Sequence, residues 1–102
     1  MPFNNLNDAV NSLQDRMQDV DSQVQTLQAT KEAGAGLVKA TVSGQNRVLN
    51  IDIDDAFFQQ KDKEMLEDLI VASVNMAIEE VEEQAKEMRG KVSMDILGAL
   101  TK

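Results

Sequence analysis

The side chains that perform most enzyme chemistry are missing from this sequence: its 102 residues include no His and no Cys. That removes the usual general base at neutral pH and the commonest metal ligand. It also removes thiol nucleophiles, disulfides and zinc fingers. Three other constellations could still do chemistry. Asp52, Asp54 and Asp55 invite a cation, but an EF-hand opening at Asp52 would put its central Gly at Phe57 and its closing Glu at Lys63. Asp54 or Asp55 is expected instead to cap a helical turn. Glu79, Glu83 and Glu87 share one helix face at i+4 spacing. With no His and no second carboxylate helix they read as a solvated acidic face. Gly34-Ala35-Gly36 suggests a phosphate loop, which needs a third glycine or Gly-Lys-Ser/Thr and a helix after it. Here strand material follows, Leu37 to Val42, so the glycines are expected to form a hairpin turn. No catalytic activity, metal or cofactor is expected.

The elements that position these residues come from one small domain, residues 1–102. A chain this short buries only about two-thirds of its unfolded surface. With three Phe, no Trp and no Tyr it is expected to associate. The net charge of −8 becomes −16 in a dimer and repels nucleic acid at long range, so such binding would need a local patch of Lys and Arg. MPFNNLNDAV has no basic stretch followed by an apolar run, and no window approaches 18 apolar residues. No signal peptide or membrane span is therefore expected, and the expected location is cytoplasmic.

Leu6, Val10, Leu13, Met17, Val20, Val24 and Leu27 are spaced 4, 3, 4, 3, 4, 3. This predicts an amphipathic heptad helix over about 4–25. Its stripe suits either a coiled coil with another chain or packing on the chain's own second long helix. The period then changes to two. Val38, Ala40 and Val42 alternate with polar residues, as do Leu49, Ile51 and Ile53 with Val48, Asn50 and Asp52. With TLQATKEA ahead of them, they predict three strands over about 26–54, joined by turns at Gly34–Gly36 and at SGQN, residues 43–46. AFFQQ reads as a short helical turn. Asp62 can cap a long helix over about 62–89, with Leu66, Leu69, Ile70, Val74, Ala77, Ile78, Val81, Ala85 and Met88 as its apolar stripe. At about 1.5 Å per residue it would outrun a three-stranded sheet, so its far end is expected to project. Gly90 is the expected stop, with 90–102 as a tail in which the amphipathic segment SMDILGAL could form a short helix or stay mobile. The fold class is α+β: helix, three-stranded antiparallel meander, long helix.

This order, with GAGLVKATVSG at 34–44, RVLNIDID at 47–54, DKEMLEDLIVASVNMAI at 62–78 and the helix LQDRMQDVDSQVQTLQ ahead of them, resembles the bacterial YbaB/EbfC family of nucleoid-associated proteins over about residues 5–90. The resemblance implies a homodimer whose strands pack together and whose long helices project like tweezers. It implies binding to double-stranded DNA with little or modest sequence preference, in the cytoplasm and nucleoid, with a role in nucleoid organisation or gene expression. The cations available for phosphate contact are Arg16 on the first helix, Lys39 and Arg47 on the strands, and Lys86, Arg89 and Lys91 near the tip of the last helix. Taken singly, some are ordinary helix-face charges: Lys86 is expected to pair with Glu82, and Lys63 with Glu67. A second reading keeps the fold but takes the acidic surface, with Glu79-Glu80 and Glu82-Glu83, as an interaction module for a basic protein partner.

Overall fold

A computed structural model of the chain describes residues 6–100, leaving out the side chains of Ile96, Ala99 and Leu100. The elements run α1 (Leu6–Gln25), β1 (Gln28–Ala33), β2 (Val38–Ser43), β3 (Val48–Ile53), α2 (Phe57–Gln60) and α3 (Lys63–Leu100). The three strands form an antiparallel meander in the order β1-β2-β3. The expected sequence of helix, meander and long helix is therefore found.

The turns have the expected chemistry. Gly34 and Gly36 take φ of 67° and 90°, and Ala35 between them is also left-handed at 55°. The GAG stretch is thus a hairpin turn. Asp62 Oδ1 accepts from the Met65 amide at 3.0 Å and so satisfies a donor that α3 leaves open, while Asp54 Oδ1 accepts from the Ala56 amide at 2.8 Å and closes the turn that leads into α2, whose own start has no side-chain cap.

The core lies between one sheet face and α3. Val38, Ala40 and Val42 are fully buried, flanked by Ala29 and Ala33 of β1. Above them α3 buries Ser73, Ala77, Val81 and Ala85, one residue per turn. These are small side chains, so the helix sits close to the sheet. Three of the four belong to the stripe read from the sequence; Ser73 does not. Its hydroxyl donates to the Ile70 carbonyl at 3.1 Å and so needs no polar partner from the sheet. The larger members of the stripe, Leu66, Ile70, Val74 and Ile78, are only half-buried.

Two expectations are corrected. Gly90 does not end the last helix: α3 continues through it to Leu100, and SMDILGAL belongs to that helix. A helix-interior Gly costs only about 1 kcal/mol against Ala, which helical neighbours on both sides absorb. In β3, Thr41 pairs with Asn50 but Val42 pairs with Val48. Leu49 is therefore the extra residue of a bulge, and Val48 takes its place beside Ile51 and Ile53 on the inner face.

Beyond the sheet, α1 packs on α3 of its own chain. Val20, Val24 and Ala85 are buried together, with Leu27, Met88 and Val92 against them. Val24 lines a cleft with Ala85, while Asp21, earlier in α1, pairs with Arg89, later in α3, so the two helices run antiparallel as an arm. The molecule measures 67 × 19 × 16 Å with a radius of gyration of 19.8 Å, against about 13 Å for a compact chain of this length. Towards the arm's far end Leu6, Val10, Met94 and Leu97 are exposed.

Candidate nucleic-acid interface

The arm joins the sheet at the turn between β2 and β3. Gly44 there donates its amide to the Leu27 carbonyl at 2.8 Å, and the Ser43 hydroxyl accepts from the Gln45 amide at 3.2 Å. These bonds fix the turn against the end of α1. Across from it stands the part of α3 that leaves the sheet. Between them opens a cleft of about 520 Å³, lined by Gly44 and Asn46 of the turn, Val24 of α1, and Glu82, Lys86, Arg89 and Ser93 of α3.

The six predicted cations divide at this cleft. Lys86 and Arg89 both line it. They are three residues apart, and at about 100° per residue that leaves them within one helix face. Arg47 is exposed immediately after Asn46. Lys91 is exposed but lies about 140° around the helix from Lys86, away from the cleft. Arg16 is exposed further out along α1. Lys39 sits on the outer sheet face, directly between Glu32 of β1 and Asp52 of β3 in the strand register. Two facing carboxylates make it a poor phosphate contact. The expected grouping at the helix tip is also corrected, because α3 runs on past Lys86, Arg89 and Lys91 to Leu100.

The ion pairs qualify this further. Lys63 pairs with Glu67 at 3.8 Å, as its spacing suggests. Among the described residues Lys86 has no ion pair, with Glu82 or any other carboxylate, although Glu82 lines the same cleft. Arg89 is held by Asp21 of α1: Nη2 lies 3.0 Å and Nε 3.1 Å from the same Oδ1. Sequence reading missed Asp21 because 68 positions separate it from Arg89. The available signal was the pair of apolar stripes, whose antiparallel alignment sets Asp21 beside Arg89. Gly44, Asn46 and Ser93 also went unnoticed as parts of one site.

No group of three or more His, Cys, Asp or Glu side chains among the described residues could hold a metal ion. No described helix is long and apolar enough to cross a membrane.

Residues 1–96 match the YbaB/EbfC DNA-binding family. The chain belongs to this family. A nucleoid-associated protein of Chlorobium phaeobacteroides is 43% identical over 101 residues, covering 96% of this chain and 89% of that protein. Among solved structures, an uncharacterized protein of Helicobacter pylori superposes with a TM-score of 0.62 at 20% identity, covering 78% of this chain and 92% of that one. That likeness is one of fold. The family is a DNA-binding family and not a family of enzymes, and its members' likeness here extends over both the sheet and most of the arm.

Proposed function

We propose that the protein is a nucleoid-associated DNA-binding protein of the bacterial cytoplasm. It acts as a homodimer that grips the phosphate backbone of double-stranded DNA with little regard to sequence. The observation that carries the site is the meeting of two elements: the turn bearing Asn46 and Arg47 faces the α3 segment bearing Lys86 and Arg89. Two cations on one face of α3, opposite a turn that carries a third, favour a polyanion. No aromatic side chain lines the cleft, so stacking on single-stranded bases has no platform.

Dimerisation is supported by an apolar surface that the chain's own elements leave uncovered. Val48 is 48% exposed, and Ile51 and Ile53 beside it are half-buried, although they share the inner sheet face with the buried Val42, Ala40 and Val38. The pair between Lys31 of β1 and Glu80 fixes which flank of α3 faces β1. The opposite flank, carrying Val71, Val74 and Ile78, therefore overhangs β3. A second copy against this open edge would cover both and double the cations.

Two observations favour the acidic-module reading. Glu79 and Glu83 are exposed on α3, and three cations, Lys31, Lys63 and Arg89, are already paired with carboxylates of the same chain. The two readings separate in fluorescence anisotropy with two duplexes of unrelated sequence at low salt. Similar binding to both supports backbone contact. Binding to neither, with a basic protein captured instead, supports the module.

A further inference from the structure

Of the six cations proposed for phosphate contact, Arg89 is the one held in an ion pair among the described residues. Its partner Asp21 presents to the guanidinium what a phosphodiester would present, an anionic oxygen that accepts a hydrogen bond from Nε and lies in ion-pair contact with Nη2. We propose that Asp21 is an internal competitor for DNA phosphate: it holds Arg89 against α1 in the free protein and releases it when phosphate enters the cleft. This rests on the DNA-binding reading given above.

Three observations support an exchangeable contact over a fixed strut. The Arg89 and Asp21 side chains are 46% and 55% exposed, so water and ligand reach both. Exposed pairs of this kind are weak and yield to a denser charge. The contact also lies at a wall of the cleft where the unpaired Lys86 attracts the same anion. The core beneath, Val20 and Val24 on Ala85, does not depend on the pair. Release of Arg89 therefore loosens the arm without opening it. Each phosphate contact by Arg89 is then taken from a carboxylate, which lowers affinity and couples DNA binding to the seating of α1.

The test compares the full-length chain with its Asp21→Asn and Asp19→Asn variants, reading duplex affinity by anisotropy across a salt series. Both changes remove one negative charge from the exposed surface of α1, but only Asp21 touches Arg89. Asp21→Asn is expected to bind roughly tenfold tighter at low salt, with a log–log salt slope steeper by about 0.9 for each arginine released. Asp19→Asn is expected to gain less than about threefold, with an unchanged slope. In an Arg89→Gln background the Asp21→Asn gain should vanish, which separates competition from any general effect on folding. Equal gains for Asp21→Asn and Asp19→Asn, or a gain that survives Arg89→Gln, would overturn the proposal while leaving the DNA reading intact. Failure of every form to bind, wild type included, would sink the DNA reading and the competitor with it.

Discussion

Gly44 and Val24 are packed so closely that a β-carbon on Gly44 would overlap the carbonyl of Val24. The atom in the way is backbone, so it cannot swing aside. This contact seats the β2–β3 turn on the end of α1 and forms one wall of the cleft. Gly44→Ala should therefore destabilise the protein by about 3 kcal/mol or more, in the range of severe steric insertions. Gly90 has nothing within 4 Å of a β-carbon and lies inside α3. Gly90→Ala should raise stability by up to about 1 kcal/mol through helix propensity alone. Thermal or urea unfolding of the two variants should move the midpoint in opposite directions.

Ser73 lies fully buried where α3 crosses the sheet. Its hydroxyl is satisfied within its own helix, so Ser73→Ala should change stability by less than about 1 kcal/mol. Ser73→Leu leaves the enlarged side chain no room between α3 and the valines of β2, and should cost about 1–3 kcal/mol. Equal tolerance of both substitutions would mean that α3 does not sit so close to the sheet.

The open β3 edge predicts which residues set the oligomeric state. Val71 is 59% exposed on the α3 flank over β3, and Val48 is 48% exposed on the strand. Val71→Glu and Val48→Glu should leave the single chain folded but shift sedimentation from dimer towards monomer. Met94→Glu, on a residue exposed out on the arm, should leave the dimer unchanged. Dissociation by Met94→Glu alone would place the interface on the arm.

The cations should separate by position. Lys86→Glu, at the cleft, should weaken duplex binding by more than tenfold and flatten the salt slope by about 0.9 per lost contact. Lys91→Glu carries the same charge change on another face of the helix and should weaken binding by only a few-fold. Lys39→Glu, already between Glu32 and Asp52, should behave like Lys91→Glu.

The parts of this molecule that were legible in the sequence are those fixed by local chemistry. A change of period from 3.5 to two marks where helix gives way to strand. Asp62 caps the helix that follows it and Asp54 closes the turn before α2, as side chains of that type do. What local pattern could not reveal depended on partners distant in the chain. The stripe from Leu6 to Leu27 is uniform, yet Val20 and Val24 are buried while Leu6 and Val10 are exposed, because period says nothing of where the opposing helix gives cover. The bulge at Leu49 has no glycine to announce it, so alternation alone placed Leu49 on the wrong face. Gly90 looked like a helix end because its cost is visible locally and the helical residues beyond it were discounted. At the site, the i+3 spacing of Lys86 and Arg89 was readable, but the pairing of Arg89 with Asp21 is created by the fold.

The most direct test is a mobility shift of an arbitrary duplex by the purified protein across a salt series, with Arg47→Glu/Lys86→Glu alongside. Wild type should retard the duplex at low salt and release it linearly in log salt, and the double variant should bind far more weakly with a shallower slope. Equal retardation by both would contradict the cleft as the DNA contact. No retardation at any salt would contradict DNA binding itself and turn attention to the acidic face of α3.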